Sequence, residues 1–388
     1  MIRIALVLLM VLTSLAFAAT INVPADVLTI QSGINSVGYH DTVLVAPGVY
    51  IENLDFNGKP VVLLSSQGPS ATIIAASTVT LPVIDLTSAE PKGTTIEGFT
   101  IRGSHIGGIV CSGSSPSIRN NIITQNSSNR TNNGAGIDLK FTVSAVITGN
   151  VFRFNTADTY GAGIHVGDDD ASSTNDTISY NLFYDNSGFG EIRALGDIVG
   201  LVINNNTVAT TTYHGIQIQI HEGGGAKVRN NIVFDAPVCA ISVWQFGDVD
   251  VDYNCAFDNI SVCSPGEGPN DVKENAGFIN AAAGDFRLTA NSPCIDAGDP
   301  DPFYNDADGS RNDIGALAFS SLLAGDLDGD GIVSISDAVF LVVYIFGGGP
   351  APDPLSLADT DCDGRYNITD AVVIIAYLFA DGPAPCVR

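Results

Sequence analysis

Basic residues are scarce in this sequence. Its 388 residues include 16 Lys and Arg against 42 Asp and Glu, which gives a formal net charge of −26 at pH 7. Proteins that bind nucleic acid or anionic membrane surfaces need a basic surface, so the composition argues against both classes of partner. A polyanionic ligand would need a groove in which the few cations gather.

Long apolar runs are nearly absent as well. The exception is residues 4–17, which follow the short basic segment Met1–Arg3 and end near Ala16-Phe17-Ala18, a small-residue cleavage pattern. The run is too short for a membrane span and has the order of a secretory signal peptide. We expect residues 1–18 to be removed, leaving an exported, soluble chain of about 370 residues with room for one large domain and a small module.

The seven cysteines include no Cys-x-x-C pair, which argues against a zinc or iron site. Because export permits disulfides, we expect Cys362 to pair with Cys386 and consider a local pair between Cys255 and Cys263. The other three are Cys111, which falls at an inward strand position as a small core residue, and Cys239 and Cys294, whose state the sequence leaves open.

Two short motifs recur between Thr20 and about Phe319, where Asn and Gly are abundant. The first reads aliphatic-x-x-Asn-x-apolar, with its Asn at Asn121, Asn150, Asn181, Asn206, Asn231 and Asn254. The second begins a short alternating strand at Ile109, Ile137, Ile164, Ile192, Ile216 and Ile241. Two strand motifs interleaved at a period of about 25 residues predict a solenoid of stacked coils. We expect the Asn side chains to form a ladder, each at a tight left-handed bend.

This stretch resembles the right-handed parallel β-helix family, which includes pectate lyases, polygalacturonases, pectin methylesterases and alginate-lyase-like proteins. The opening segment Leu28–Asn53 and the closing segment Ser292–Ala316 are similar to the ends of such proteins, and we expect a capping helix near Ile30 to Val37. The resemblance implies an all-β parallel β-helix over residues 19–319, and it specifies a fold rather than a reaction. The acidic residues of the closing segment are compatible with a structural cation, although a surface turn is the simpler interpretation.

A duplicated acidic stretch follows near the C-terminus. Each copy has oxygen side chains at positions 1, 3, 5, 9 and 12 and Gly at position 6, which is the EF-hand calcium-loop pattern with Asp in place of Glu at position 12. Position 7 contributes only a backbone carbonyl. The predicted ligands are Asp326, Asp328, Asp330, Ile332, Ser334 and Asp337 in the first loop, and Asp359, Asp361, Asp363, Arg365, Asn367 and Asp370 in the second.

An apolar helix is predicted after each loop, near Ala338–Phe346 and Ala371–Phe379, and none before it. Two calcium loops, each followed by one helix, resemble the type I dockerin family over residues 324–388, after a linker at 320–323. The resemblance implies two calcium ions and binding to a cohesin domain of an extracellular scaffold through loop positions 10 and 11. Those positions are Ile335, Ser336, Ile368 and Thr369.

The second strand motif also predicts a polar row on the outside of the solenoid. Alternate strand residues face outward, so the residues that follow each inward Ile should align on coils about 4.8 Å apart. We expect catalysis from Asp138, Lys140, His165 and Arg193. We expect substrate binding from Gln217, Gln219, His221 and Trp244. The alternative is a solvated polar face, which any β-helix must have.

One carboxylate beside Lys, His and Arg suits sugar binding or β-elimination better than hydrolysis, which needs two carboxylates. The catalytic signatures of polygalacturonases, pectin methylesterases and pectate lyases are missing from the sequence. Two functions therefore stay open. One is a secreted carbohydrate-active or carbohydrate-binding protein of polysaccharide breakdown, a lyase or glycoside hydrolase if it is an enzyme, anchored to a cohesin-bearing scaffold in a cellulosome-like complex or at the cell surface. The other is a non-catalytic extracellular adhesin or surface structural protein.

Overall fold

The computed structural model describes residues 18–128, 134–209, 212–245, 247–259, 268–306, 309–319, 324–328, 333–352, 355–380 and 382–386. Residues 1–17 of the predicted signal peptide and the predicted linker 320–323 lie outside these ranges, as do Asp330 and Ile332. By its internal contacts the chain divides into two compact units: residues up to 276 with 314–316, and residues 277–313 with 317 onward.

The first unit is a parallel β-solenoid in which each coil contributes short strands to three faces. Face A contains the strands Leu54–Asp55, Ile84–Leu86, Ile109–Ser112, Ile137–Lys140, Gly161–Thr174, Gly190–Asn204, His214–Ile220 and Cys239–Gln245. Face B contains Thr20–Val23, Thr42–Val45, Val62–Ser65, Thr95–Glu97, Ser117–Arg119, Val146–Thr148, Thr177–Ser179, the end of Gly190–Asn204, Gly225–Arg229 and Asp248–Asp252. Face C contains Gly48–Ile51, Thr72–Ala75, Thr100–Arg102, Ile122–Thr124, Val151–Arg153, Leu182–Tyr184, Thr207–Ala209, Ile232–Phe234 and Cys255–Phe257. The short strands Ser127–Ser128 and Thr156–Ala157 form a further parallel pair.

These parallel pairings confirm the predicted all-β solenoid, and face C alone has nine strands in register. The core is a stack of equivalent side chains. On face A, Ile109 pairs with Ile137, Ile137 with Ile164 and Ile164 with Ile192, and all four are fully buried. Burying an Ile side chain stabilises the fold by about 1.5–3 kcal/mol. Each coil contributes a strand with one or two such buried side chains, and these side chains hold the stack of coils together.

The predicted ladder of asparagines is confirmed. The Nδ2 of Asn121 donates to Oδ1 of Asn150 at 3.1 Å, and the same bond continues through Asn181, Asn206, Asn231 and Asn254 at 2.9–3.1 Å. The left-handed bend, however, lies one residue before each ladder Asn, at Asn120, Gly149, Tyr180, Asn205, Asn230 and Tyr253. The preceding residue turns the corner, which aims the next side chain inward, where its oxygen also accepts a backbone N–H of the neighbouring coil.

A second, shorter ladder runs five residues further along each coil, and the sequence analysis missed it. Asn126 Nδ2 donates to Asn155 Oδ1 at 3.2 Å, and Asn155 Nδ2 donates to Asn186 Oδ1 at 3.0 Å. The ladder ends where Asn186 Nδ2 donates to a carboxyl oxygen of the buried Glu191 at 3.0 Å. Burial raises the pKa of Glu191 to about 8, against the opposing effect of the Asn186 hydrogen bond.

The predicted N-terminal capping helix is confirmed as α1, Ile30–Ser36. Thr29 caps it by accepting a hydrogen bond from the backbone N–H of Ser32. The carboxylate of Glu52 accepts the N–H groups of Ile30 and Gln31 at 2.9 and 3.0 Å, which satisfies two of the donors that a helix N-terminus leaves open.

The second unit holds the only helices of the described chain other than α1 and the short 3-10 turns: α2, Ile335–Gly347, and α3, Ile368–Phe379. The unit also has an antiparallel hairpin, Phe278–Asn280 with Asp285–Leu288, and 3-10 turns at Ala281–Ala283, Pro302–Tyr304 and Leu355–Ala358. The helices pack through a small core of Leu327, Ala338, Leu341, Leu357, Ala358, Ala371 and Ile374. Among the described residues, no helix is both long enough and apolar enough to cross a membrane.

Both helices follow an acidic loop, as predicted, but begin three residues earlier than the apolar runs suggest. A capping box explains the earlier start. Ser334 and Asp337 exchange side-chain and backbone hydrogen bonds at the start of α2, and Asn367 and Asp370 do the same at the start of α3.

In the closing segment, carboxylates serve as acceptors for backbone N–H groups in turns. Asp313 accepts the N–H of Asp296 at 2.7 Å and that of Phe319 at 2.6 Å, and Asp306 accepts the N–H of Asp313 at 2.9 Å. These bonds support the interpretation of its acidic residues as acceptors within turns, although Asp313 itself is buried.

Of the cysteine predictions, the disulfide between Cys362 and Cys386 is confirmed, and Cys111 is a buried thiol in the core. The predicted pairing of Cys255 with Cys263 is wrong, because Cys255 is a buried thiol whose Sγ donates to the carbonyl of Glu274 at 3.5 Å. Cys263 itself lies outside the described residues. The two cysteines that the sequence left open are resolved as a disulfide-bonded Cys239 and a buried thiol at Cys294.

Candidate functional sites

The polar row on face A has the predicted register. Asp138 is paired with His165, His165 with Arg193, and Arg193 with Gln217 on four successive coils. Two residues further along, Gln219 is paired with Trp244. The parallel stacking of the coils therefore brings together side chains that are 24 to 28 residues apart in sequence.

Asp138 is the centre of this row. One carboxylate oxygen lies 3.0 Å from His165 Nδ1 and also accepts the backbone N–H of Gly134 at 3.1 Å. The other oxygen lies 3.6 Å from Lys140 Nζ, which is 3.3 Å from a carboxylate oxygen of Asp168. A carboxylate beside Nδ1 favours the tautomer with the proton on that nitrogen, which leaves Nε2 as the acceptor atom. Nε2 makes no hydrogen bond to any described part of the chain.

The row is not the solvated surface that strand alternation suggests. His165, Asp138 and Gln217 are all buried although they point away from the solenoid core. The ring of Tyr160 lies edge-on to His165 at 5.0 Å, and a Cβ placed on Gly134 would lie 3.0 Å from the Cβ of His165. Alternation fixes which side of the strand a residue faces, but the segments that lead into the face A strands decide whether water reaches it.

Arg193 links the row to an aromatic group that the sequence analysis missed. Its guanidinium carbon lies 4.1 Å from the ring centre of Tyr160 and 5.5 Å from that of Phe189, and Nη1 donates to the carbonyl of Thr159 at 3.0 Å. Tyr213 stacks on Phe189 with ring centres 4.4 Å apart. A signal was present in the sequence, because each of the three rings stands one or two residues before a Gly at the start of a face A strand.

His214 adjoins the same group. Burial lowers its pKa, and the nearby positive charge of Arg193 lowers it further, so the imidazole is neutral at neutral pH. Its ring meets those of Tyr213 and Phe189 edge-on, with centres 4.7 and 5.6 Å apart.

The predicted site thus divides into two parts. Asp138, Lys140 and His165 form one contact cluster, which Tyr160 connects to Arg193. His221 instead forms an exposed pair with Asp197, Nδ1 to Oδ1 at 3.0 Å, outside this cluster. Trp244 is exposed, and its Nε1 donates to the hydroxyl of Ser242 at 3.0 Å.

The acidic loops of the second unit each gather three carboxylates. One oxygen from each of Asp326, Asp328 and Asp337 lies within 4.8 Å of the others in the first loop. Asp359, Asp361 and Asp363 do the same in the second. Like charges at this separation repel one another, and calcium prefers hard oxygen ligands, so the residues present fit a bound calcium ion.

Several of the predicted ligands also make hydrogen bonds that close the loops. Asp337 accepts the N–H groups of Leu327 and Ser334 at 2.6 and 2.7 Å. Asp370 accepts those of Asp361 and Asn367 at 3.3 and 2.9 Å, and burial raises its pKa. The side chains of Ser334 and Asn367 cap the helices, and the N–H of Arg365 donates to Asp363. Asp330 and Ile332 lie outside the described residues.

Comparison with known families matches both parts of the chain. Residues 84–257 match the model of the right handed beta helix region, and residues 324–379 match that of the dockerin type I domain. The chain is a right-handed parallel β-helix protein with a C-terminal type I dockerin domain. Domains of the latter family bind calcium and imply a cohesin partner.

Solved structures similar to the chain include two lyases. An alginate lyase from Paenibacillus sp. str. FPU-7 is 15% identical with a TM-score of 0.42, and the match covers 66% of this chain and 98% of that one. The pectate lyase Pel9A is 13% identical with a TM-score of 0.41, and the match covers 75% and 90% of the two chains. No curated protein sequence matches the chain.

The dockerin domain exposes apolar side chains at equivalent positions of its two helices. Ile335 is 50% exposed and Ile368 is 45% exposed, and both stand at the first position of their helix. The equivalent exposed pairs further along are Val339 with Val372 and Phe346 with Phe379. The predicted partner-binding residues Ser336 and Thr369 are also exposed, although Thr369 Oγ1 donates to Asp361 at 3.0 Å.

Proposed function

We propose that this protein is an extracellular component of polysaccharide breakdown that docks through its calcium-loaded dockerin onto a cohesin of a scaffold protein. The observation that carries the proposal is the duplicated loop and helix of the second unit. Each copy combines a group of three carboxylates with an exposed apolar helix face that begins directly after the loop.

In this proposal each loop holds one calcium ion. The first uses Asp326, Asp328, Asp330, Ser334, Asp337 and the carbonyl of Ile332, and the second uses Asp359, Asp361, Asp363, Asn367, Asp370 and the carbonyl of Arg365. Bound calcium supplies the positive charge that relieves the repulsion among the carboxylates. Asp337 and Asp370 tie each loop to its own helix through the capping boxes, so ordering the loop also orders the helix face.

The cohesin contact lies on the two equivalent faces, which begin with Ile335-Ser336 and Ile368-Thr369. Exposed Ile, Val and Phe side chains on one surface favour burial against a partner. Because both helices present the same residue types at the same positions, either face can meet the same cohesin surface.

The β-helix would bind an acidic polysaccharide and cleave it by β-elimination. His165 Nε2 would take the proton from C5 of a uronate residue, with Asp138 holding the ring and Arg193 and Lys140 balancing the charge of the sugar carboxylate. The electron pair of the broken C–H bond forms the C4–C5 double bond, and the O4 leaving group departs with the C–O pair and is protonated by water. Gln217, Gln219, His221 and Trp244 would bind neighbouring sugars.

The burial of His165 and Asp138 favours a second candidate, a non-catalytic adhesin or surface structural protein that uses the same dockerin. In that case the pair has a structural role, and the outer face binds without reacting. Catalysis requires Tyr160 to move away from His165, whereas binding at the exposed end of the row does not.

Two measurements test the proposal with the purified chain. Calorimetry against a panel of cohesins, in calcium and in chelator, tests docking, and no binding of any cohesin in calcium would overturn that half. Incubation with uronate-containing and neutral polysaccharides tests cleavage through the ultraviolet absorbance of the new double bond and the release of reducing ends. Binding without either product supports the adhesin.

A further inference from the structure

Three aromatic residues occupy equivalent positions on successive coils beside face A. The backbone N–H of Phe189 donates to the carbonyl of Tyr160 at 3.2 Å, and the N–H of Val238 donates to the carbonyl of Tyr213 at 3.0 Å. Between them, the N–H of His214 donates to the carbonyl of Phe189 at 3.4 Å. The rings of Tyr160, Phe189 and Tyr213, which we call the aromatic ladder, therefore lie in a line along the solenoid axis.

The ladder is held in place yet partly open to solvent. Thr212 Oγ1 accepts the N–H of Gly188 and donates to its carbonyl, both at 2.9 Å, which ties the segment that carries Tyr213 to the one that carries Phe189. Phe189 and Tyr213 are nevertheless 36% and 38% exposed. Exposed rings on a fixed backbone present an apolar surface without a large loss of side-chain entropy on binding.

Polar groups capable of recognising a sugar lie directly beside the ladder. Arg193 packs against Tyr160 and Phe189. His214 Nδ1 and Gln217 Oε1 are buried atoms that make no hydrogen bond to the described part of the chain. Burying such atoms without a partner costs about 1–3 kcal/mol each, so a ligand or water that satisfies them is favoured.

Arg193 is the cation that lies against the ladder. Lys140 is paired with Asp138 and Asp168, and His221 is paired with Asp197, so carboxylates of the same face balance those two side chains. An Arg beside exposed rings, on a protein with a net charge of −26, favours an anionic group of a ligand at that place.

We propose that the aromatic ladder, with Arg193, His214 and Gln217, is a binding subsite for a uronate residue of an acidic polysaccharide. The chain of the ligand runs along the solenoid axis, its C–H groups pack against the exposed parts of the stacked rings of Phe189 and Tyr213, and its carboxylate pairs with Arg193. His214 and Gln217 bond to its hydroxyl groups. The coil repeat of about 4.8 Å is close to the length of one sugar ring, so successive sugars meet successive coils. The inference rests on the proposed function and adds the aromatic ladder and His214 as residues that select the sugar.

The test uses the full chain, with oligogalacturonates and oligomannuronates as probes and cello-oligosaccharides as the neutral comparison. Calorimetry should show binding of the acidic probes that is about tenfold weaker, or 1.4 kcal/mol, in Tyr213→Ala and in Phe189→Ala. The matched control is Tyr39→Ala, which removes an exposed aromatic residue outside the site and should bind like the parent. Thermal melting of each variant establishes that the exposed truncations leave the fold intact.

A second arm tests the carboxylate. Methyl-esterified oligogalacturonate should bind the parent more weakly than the free acid, and Arg193→Ala should remove that difference, whereas Tyr213→Ala should preserve it. If the parent binds acidic probes while both aromatic variants match it, the subsite is wrong and the proposed function stands. If the parent binds no polysaccharide of the panel, the subsite and the proposed action on polysaccharide fall together.

Discussion

His165 Nδ1 lies 3.0 Å from a carboxylate oxygen of Asp138, and both side chains are buried on the outer side of face A. The two residues are paired across adjacent coils, so their contact depends on the stacking of the solenoid rather than on either strand alone. The contact favours one imidazole tautomer, and it leaves Nε2 as a buried atom without a hydrogen bond to the described part of the chain.

Replacing Asp138 with Asn should separate catalysis from binding. The amide can no longer hold a proton on Nδ1 as a carboxylate does, so the yield of unsaturated product should fall by a factor on the order of a hundred or more. Binding of acidic oligosaccharides should change little. Asp85→Asn, two coils away in the same register, is the matched control. Equal product yields for Asp138→Asn and the parent would show that the pair is structural.

Glu191 should make the stability of the β-helix depend on pH. In the folded protein its pKa is raised from 4.5 to about 8, so between these values the folded state holds a proton that the unfolded state releases. Rising pH therefore favours unfolding in this window, by at most about 1.4 kcal/mol per pH unit. Asp176, whose pKa is raised to about 6, also makes the folded state less stable as the pH rises, but only below about pH 6.

Glu191→Gln tests this directly, because an amide can still accept the hydrogen bond from Asn186 but does not ionise. Urea unfolding between pH 6 and 8 should show a smaller pH dependence than in the parent and a higher stability at pH 8. The exposed-pair variant Glu97→Gln should keep the pH dependence of the parent. A parallel pH profile for Glu191→Gln and the parent contradicts the role of this carboxyl group.

Calcium should order the dockerin. The carboxylates of Asp326, Asp328 and Asp337 repel one another until a cation balances them, and Asp337 also caps α2. Isolated residues 322–388 should gain helical circular dichroism on addition of calcium and lose it with a chelator. Asp328→Asn should weaken the response of the first loop, while Asp353→Asn, outside both loops, should not. Full helicity in chelator would rule the coupling out.

The equivalent faces of the dockerin should substitute for each other in cohesin binding. Ile335→Asp or Ile368→Asp alone leaves one apolar face intact, so each should weaken binding only a few-fold, close to the factor of two expected from halving the number of sites. The double variant should nearly abolish binding while calcium uptake persists. Calorimetry against the best cohesin of the panel decides, and a double variant that binds like the parent removes both residues from the interface.

The repeating features of the fold could be predicted from the sequence because they depend on local chemistry that recurs. The inward Ile residues, the asparagine ladder and α1 follow from side-chain alternation, spacing and capping, and each is confirmed. The second ladder was missed although Asn126 and Asn155 repeat five residues after the first set, because the short strand that follows Asn126, Ser127–Ser128, is polar and has no apolar motif.

The acidic loops were also determined by local sequence. Their ligand spacing lies within twelve residues, and the structure brings together the carboxylates of Asp326, Asp328 and Asp337 as that spacing requires. The state of Cys255, a buried thiol outside the disulfides, could not be predicted from local sequence. The pairing of cysteines depends on which coil each thiol faces, and the sequence of the short segment 255–263 does not determine this.

The sequence by itself determined that the coils stack in register, and hence that Asp138, His165, Arg193 and Gln217 form a row. Only the tertiary structure decided that Asp138, His165 and Gln217 are buried while Phe189 and Tyr213 of the aromatic ladder meet solvent. The physical reason is that the register between coils depends on the apolar period of each strand, which is a property of the local sequence. Exposure depends on how the segments between faces fold back over their neighbours, and that is settled by packing between coils distant in sequence.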